Sequence, residues 1–228
     1  RDIVLKTLME QKTVEDYSVL NPVLEMEEVH SVSSKGFRGV NLDEAYTVPR
    51  RSYDKSMIGI IAPNAAPDGN VGVTKTLSLE PKINSVRGYV DDTNTEMDQL
   101  EDVNLLSGGE LCIPVAAAID DPTRLGHAIK QSRHVIPTKN SSPVLISNGY
   151  EEACRFHLSS EFVVNADDDG KVIKYDDDTK IMVVQYASGK YKAIDLGHHI
   201  VKNGGGGFYL SNQLITDLKP GDSFKKDD

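Results

Sequence analysis

Four basic side chains, Arg124, Lys130, Arg133 and Lys139, fall in a stretch from residue 122 through 150 that contains no Asp or Glu, in a chain of formal net charge -10. Arg and Lys bind a polyanion best where no neighbouring carboxylate competes, so this island has the composition of a phosphate-binding surface. A solvated face of an amphipathic helix has the same composition. The element that would carry these residues is a helix: Asp121 can cap the first-turn amides, and Pro122 suits the first helical position. At about 100° per residue, Leu125, Ala128, Ile129 and Ser132 fall on one side. Arg124, His127, Lys130, Gln131 and His134 fall on the other. The pattern predicts a helix beginning at 122 and ending by 136, packed on one face and polar and basic on the other.

The flanking sequence supplies the supports. Residues 111–119 form an apolar run, expected as a buried strand or core segment leading into the helix. Residues 1–20 begin as a short helix, with Ile3, Val4, Leu8 and Met9 at helical spacing. The run Pro67-Asp68-Gly69 signals a turn, and Gly72 permits close approach of another backbone. Seven acids between 91 and 110 (Asp91, Asp92, Glu96, Asp98, Glu101, Asp102 and Glu110) are expected as a solvated connection. Beyond Pro137 the pattern changes to short strands at 144–146, 162–164, 172–175, 181–186 and 191–196, a β meander. The aspartate triplets at 167–169 and 176–178 sit between strands and lack the spacing of an EF-hand, so they read as turn residues. Glycines 204–207 mark a flexible loop.

Length and composition set the bounds. At 228 residues, 39% hydrophobic and 26% charged, the chain can bury one large or two modest cores. No apolar run approaches the roughly 20 residues that span a bilayer, and residues 1–10 lack the features of a signal peptide, so a soluble cytoplasmic chain is expected. Cys112 and Cys154 sit in no metal or redox motif and read as small buried side chains. The negative net charge excludes a free-standing basic nucleic-acid binder; nucleic-acid contact would be local or completed by a partner.

Four blocks, taken in order, resemble the β subunit of bacterial multisubunit RNA polymerase. Residues 120–137 align with it without a gap and share Asp120, Asp121, Arg124, Arg133 and Pro137. Residues 21–40 share Asn21, Pro22, Glu25, Ser33, Gly36 and Gly39 with the fork region beside the RNA–DNA hybrid, where rifampicin binds. Residues 59–77 keep Gly59, Pro63, Pro67, Gly69, Asn70, Gly72 and Leu77, with Asp68 in place of Glu and one residue fewer between Gly69 and Asn70. Residues 198–228 keep Ser211, Asn212, Gln213, Gly221, Asp222, Lys226 and Asp227. The chain is therefore similar to the middle of such a subunit, of divergent, phage or other viral type.

The resemblance implies an α+β chain: a helical and loop fork region over 1–90, an acidic connection and apolar segment over 91–119, and a β-rich hybrid-binding domain over 120–228 that begins a barrel. It implies template-directed nucleotidyl transfer within a complex containing a β′-type subunit, other polymerase subunits, DNA, RNA and nucleoside triphosphates. The Mg²⁺ ions would be held by the β′-type subunit, with no metal ligand and no catalytic residue in this chain. By the same resemblance Arg124 would hold the incoming nucleotide's phosphates, while Asp68, Asn70, Lys130 and His134 would line the RNA or hybrid. Ser18, Glu28, Ser31 and Lys35 stand where the family has rifampicin contacts, which implies a resistant enzyme. The alternative is a non-enzymatic β-rich nucleic-acid-binding or interaction module, distinguishable by a transcription assay with the cognate subunits.

Overall fold

The structure, a computed structural model, describes residues 2–10, 20–35, 39–40, 47–83, 85, 99–136, 138, 142, 145–203 and 208–228. Ser18, Gly36, Pro137, Lys139, the glycine run and the acids at 91, 92, 96 and 98 lie outside the described residues. The chain is α+β and divides into two compact units, Arg1–Cys154 and Arg155–Asp228. The division falls well beyond residue 120. The basic helix belongs to the first unit, because its apolar side is buried there, whereas 120–228 was expected as one domain.

The first unit contains α1 (Asp2–Met9), α2 (Pro22–Val29), β1 (Ser31–Ser33), α3 (Val48–Arg51), β2 (Thr74–Thr76), α4 (Asp102–Leu105), α5 (Gly108–Leu111), α6 (Pro122–Ser132) and α7 (Glu151–Cys154). Asn21 starts α2: its Oδ1 accepts from the amides of Val23 at 2.8 Å and Leu24 at 3.4 Å, and Pro22 follows at the first helical position. α2 then runs into β1, which pairs antiparallel with β2 in the register Ser31↔Thr76. Met26, Ala62, Val73, Leu79, Leu111, Leu125 and Ile129 are buried hydrophobic residues of this unit.

The apolar run at 111–119 is not a strand. Leu111 ends α5 and is buried, Ala116–Ala118 form a 3₁₀ turn, and Val115 faces solvent. Nor is Glu110 part of a solvated connection, for it is fully buried. The run Ser107-Gly-Gly-Glu110 is a capping box: Ser107 Oγ accepts from the Glu110 amide at 3.3 Å, and Glu110 Oε2 accepts from the Ser107 amide at 2.8 Å. Local capping draws this acid inward.

The second unit is β-rich: β3 (Gly170–Asp176), β4 (Ile181–Tyr186), β5 (Tyr191–Asp195), β6 (His198–Asn203), β7 (Phe208–Gln213) and β8 (Ser223–Phe224). An antiparallel sheet runs in the order β5-β4-β3-β8, and β6 pairs with β7 in a separate ribbon. Among the described residues the sheet stays open and closes no barrel. The segments at 145–146 and 162–164 are not strands; Leu145 and Ile146 are exposed. Strict alternation in β4 turns Met182, Val184 and Tyr186 inward, where they meet Val172, Leu196 and Phe224. Asp176 does turn chemistry, its Oδ1 accepting from the Asp178 amide at 3.2 Å, whereas Asp169 Oδ1 reaches across the unit to accept from the Lys226 amide at 2.8 Å.

Phe224 sits edge-on to Tyr186 at a centroid distance of 6.1 Å and anchors the two-residue strand β8. Phe224→Ala should therefore cost about 3–5 kcal/mol in the unfolding of this unit, measured by urea titration. A loss under about 1 kcal/mol would mean the ring is not part of the core.

Candidate nucleic-acid interface

Helix α6 forms as its sequence predicts. Asp121 Oδ1 accepts from the Thr123 amide at 2.7 Å, Pro122 occupies the first position, and Arg133 is the C-cap. Leu125, Gly126 and Ile129 are the buried face. Gly126 does more than pack, because a Cβ there would lie 2.0 Å from the Ala65 carbonyl oxygen. Only glycine lets the loop at 64–70 lie directly on the helix. The Ala65 amide completes the contact by donating to Pro122 O at 3.0 Å. At the other end Asn21 Nδ2 donates to Ser132 O at 3.1 Å, so the residue that caps α2 also holds the last turn of α6.

The loop is held from its outer side by α3. Arg51 Nη1 donates to Gly69 O and Val71 O, each at 3.0 Å. Gly72, at φ 71°, has no room for a Cβ, which would lie 2.1 Å from Arg51 O. The close approach expected at Gly72 is thus to the chain's own backbone. Asp68 Oδ1 accepts from the Asn70 amide at 2.7 Å, and Lys35 donates to the Asn70 side chain.

Between loop and helix lies a cleft of about 220 Å³ whose walls include Asp68 and Asn70 from the loop, Lys130 and Arg133 from α6, and Glu27 and Glu28 from α2. Three of the five residues expected at the site, Asp68, Asn70 and Lys130, meet there. Arg124 and His134 do not line it. Arg124 instead pairs with Asp120 at 3.1 Å on the open surface, and His134 is exposed past the helix end. The acid-free island is free of acids only along the sequence; the fold brings carboxyls from α2 and the loop against Lys130 and Arg133. Lys130 and Arg133 thus share the cleft with three carboxyls, the competition for a phosphate that the acid-free stretch of sequence lacks.

Glu27 is a cleft residue to which the sequence assigns no role, and Arg133, one of the basic residues of the acid-free stretch, joins it there. Glu27 is 7% exposed; it accepts from Ser107 Oγ at 3.1 Å and Thr76 Oγ1 at 3.3 Å. Burial pushes its carboxyl above the ordinary value, against the opposing pull of Ser107, the Arg133 charge and Thr76. Burial likewise raises Glu110, opposed by its bond from the Ser107 amide and assisted by the negative charge of Glu27. Glu110 Oε1 has no hydrogen-bond partner among the described residues. Apolar periodicity does not mark Glu27, because Glu25, Met26 and Glu27 are buried in succession while Val29 is exposed.

Among the described residues no group of three or more His, Cys, Asp or Glu could hold a metal ion, and no helix is long and apolar enough to cross a membrane. Residues 1–43 match the family model of bacteriophage RNA polymerase. That segment supplies Asn21, Glu27, Glu28 and Lys35, hence one wall of the cleft. No curated protein matches the chain.

Glu27 and Glu110 both bind a proton more tightly folded than unfolded, so each contributes stability that is full below about 4.5 and is lost as pH rises through the raised folded value. Glu110→Gln removes one charge from the pair while keeping an oxygen for the Ser107 amide. Urea unfolding across pH should show a shallower loss of stability toward neutral pH in the variant than in the parent. Identical pH slopes would mean that the Glu110 charge carries no penalty.

Proposed function

We propose that the chain is part of a phage-type, multisubunit DNA-directed RNA polymerase, in which its first unit takes the place of the β-subunit fork and hybrid-facing helix. The observation that carries this reading is the packing of the loop at 64–70 on α6 at Gly126. Two segments that separately resemble the β subunit form one cleft. The match of residues 1–43 to bacteriophage RNA polymerase supports the coarser part of this reading, a phage transcription enzyme, and those residues build the adjoining wall of the cleft.

In this role the chain contributes positioning and charge neutralisation, and the β′-type partner holds the Mg²⁺ ions. Lys130 and Arg133 meet backbone phosphates of the hybrid, while Asp68 and Asn70 accept from hydroxyl and base N–H groups. His134 extends the same line beyond the helix. Arg124 is held only by an exposed ion pair, of a kind worth about 0–1 kcal/mol, and exchanges Asp120 for the triphosphate of the incoming nucleotide.

Arg124→Ala in the assembled enzyme should cost about 2 kcal/mol of transition-state stabilisation, or roughly 30-fold in nucleotide-addition efficiency. Unchanged efficiency would remove Arg124 from the triphosphate site. Transcription should also resist rifampicin, because Glu28 and Ser31 offer a carboxylate and a short hydroxyl where the drug's partners require Arg or His donors. Each unpaired group costs roughly 1–3 kcal/mol. Inhibition at submicromolar drug would overturn the placement of residues 21–40.

A further inference from the structure

Cys112 and Cys154 lie at two helix ends, far apart in sequence, yet the fold sets their sulfurs 3.8 Å apart. Cys112 is the C-cap of α5 and Cys154 the last residue of α7. Neighbouring bonds hold the two ends together. Asn148 Nδ2 donates to Leu111 O at 2.6 Å, next to Cys112, and Tyr150 donates its hydroxyl proton to Asp102 of α4 at the start of α7. Cys154 is buried, whereas Cys112 is only partly covered and open to a small solute. The sulfurs are in contact distance, and a change of side-chain rotamers would bring them to the roughly 2 Å of a disulfide bond.

We propose that Cys112 and Cys154 are a reversible redox pair, oxidised to an intramolecular disulfide by hydrogen peroxide and returned to two thiols by exchange with a dithiol. The Cys112 thiolate attacks one peroxide oxygen; the O–O bond breaks, and the departing hydroxide takes a proton to become water. The Cys154 sulfur then attacks the sulfenic sulfur of Cys112. The S–S bond forms, the S–O bond breaks, and the hydroxyl leaves as a second water with the Cys154 proton. Two thiols are oxidised and one peroxide is reduced to two waters. The hydrogen bond between the sulfurs lowers the Cys112 thiol and raises that of Cys154, in agreement with Cys112 as the attacking group. The bond closes a loop that contains all of α6, so oxidation ties the two ends of the segment bearing the basic helix to each other.

The full chain should be exposed to hydrogen peroxide under native conditions, quenched by alkylation, and mapped by mass spectrometry without reduction. The expected result is a linked pair of peptides containing Cys112 and Cys154, a mass loss of about 2 Da that dithiothreitol reverses. The yield should be independent of protein concentration, and the oxidised chain should melt several degrees higher than the reduced one. In Cys154→Ser the Cys112 sulfenic acid should accumulate and be trapped by dimedone, while in Cys112→Ser the buried Cys154 should stay reduced. Free thiols after oxidation, sulfinic acids without a link, a bond only between molecules, or an unchanged melting temperature in the linked chain would each overturn the proposal.

Discussion

The cleft of the first unit exists because a backbone carbonyl rests on a helix at a residue with no side chain. Ala65 O occupies the space a Cβ of Gly126 would need, so the loop and α6 are separated by the thickness of main chain alone. Side-chain contacts tolerate tenths of an ångström by changing rotamer, whereas main-chain contacts do not. The approach of the backbone that carries Asp68 and Asn70 to the helix that carries Lys130 is thereby set by a main-chain contact. Arg51 and Asn21 act on the same arrangement from its two ends, one holding the loop and the other the last turn of the helix.

Beneath the cleft lies a polar network where a larger hydrophobic core would be usual. Ser107 gives its hydroxyl proton to Glu27 and its amide proton to Glu110, while Asn64 Nδ2 donates to Ser107 Oγ at 3.2 Å. One serine thus ties α2, α5 and the start of the loop. Such a network specifies a single arrangement because each member has few alternative partners at depth, and it does so at the expense of burying carboxyls.

What could be read from the residues alone was what is encoded locally. Asp121 and Pro122 announce α6, the apolar segment at 181–186 announces β4, and the Pro67-Asp68-Gly69 turn marks the loop. Glu110 was misread because composition near it is acidic, although the spacing from Ser107 carried the capping box. The mixed charge of the cleft was not legible, since Glu27, Glu28 and Asp68 reach Lys130 and Arg133 only through tertiary packing. Where the two compact units divide was not legible for the same reason: the apolar side of α6 states that the helix is buried, but not against which neighbours. The closeness of Cys112 to Cys154 likewise depends on where α7 docks.

The open sheet of the second unit has a consequence for how the chain behaves in concentrated solution. Strand β8 covers only the first part of β3, pairing Gly170 with Phe224 and Lys171 with Ser223. Val172 still exchanges backbone bonds with Gly221 and Asp222, and beyond it, among the described residues, β3 pairs with no strand on this side, an edge of the kind on which strands of other molecules can stack. That stretch is irregular and charged: the register shifts between Val172 and Lys174, and Lys174 lies 4.0 Å from Asp176. A kink spoils the flat geometry an incoming strand needs, and a stacked copy would bring like charges together. An edge of this kind, kinked and charged, is a poor template for an incoming strand.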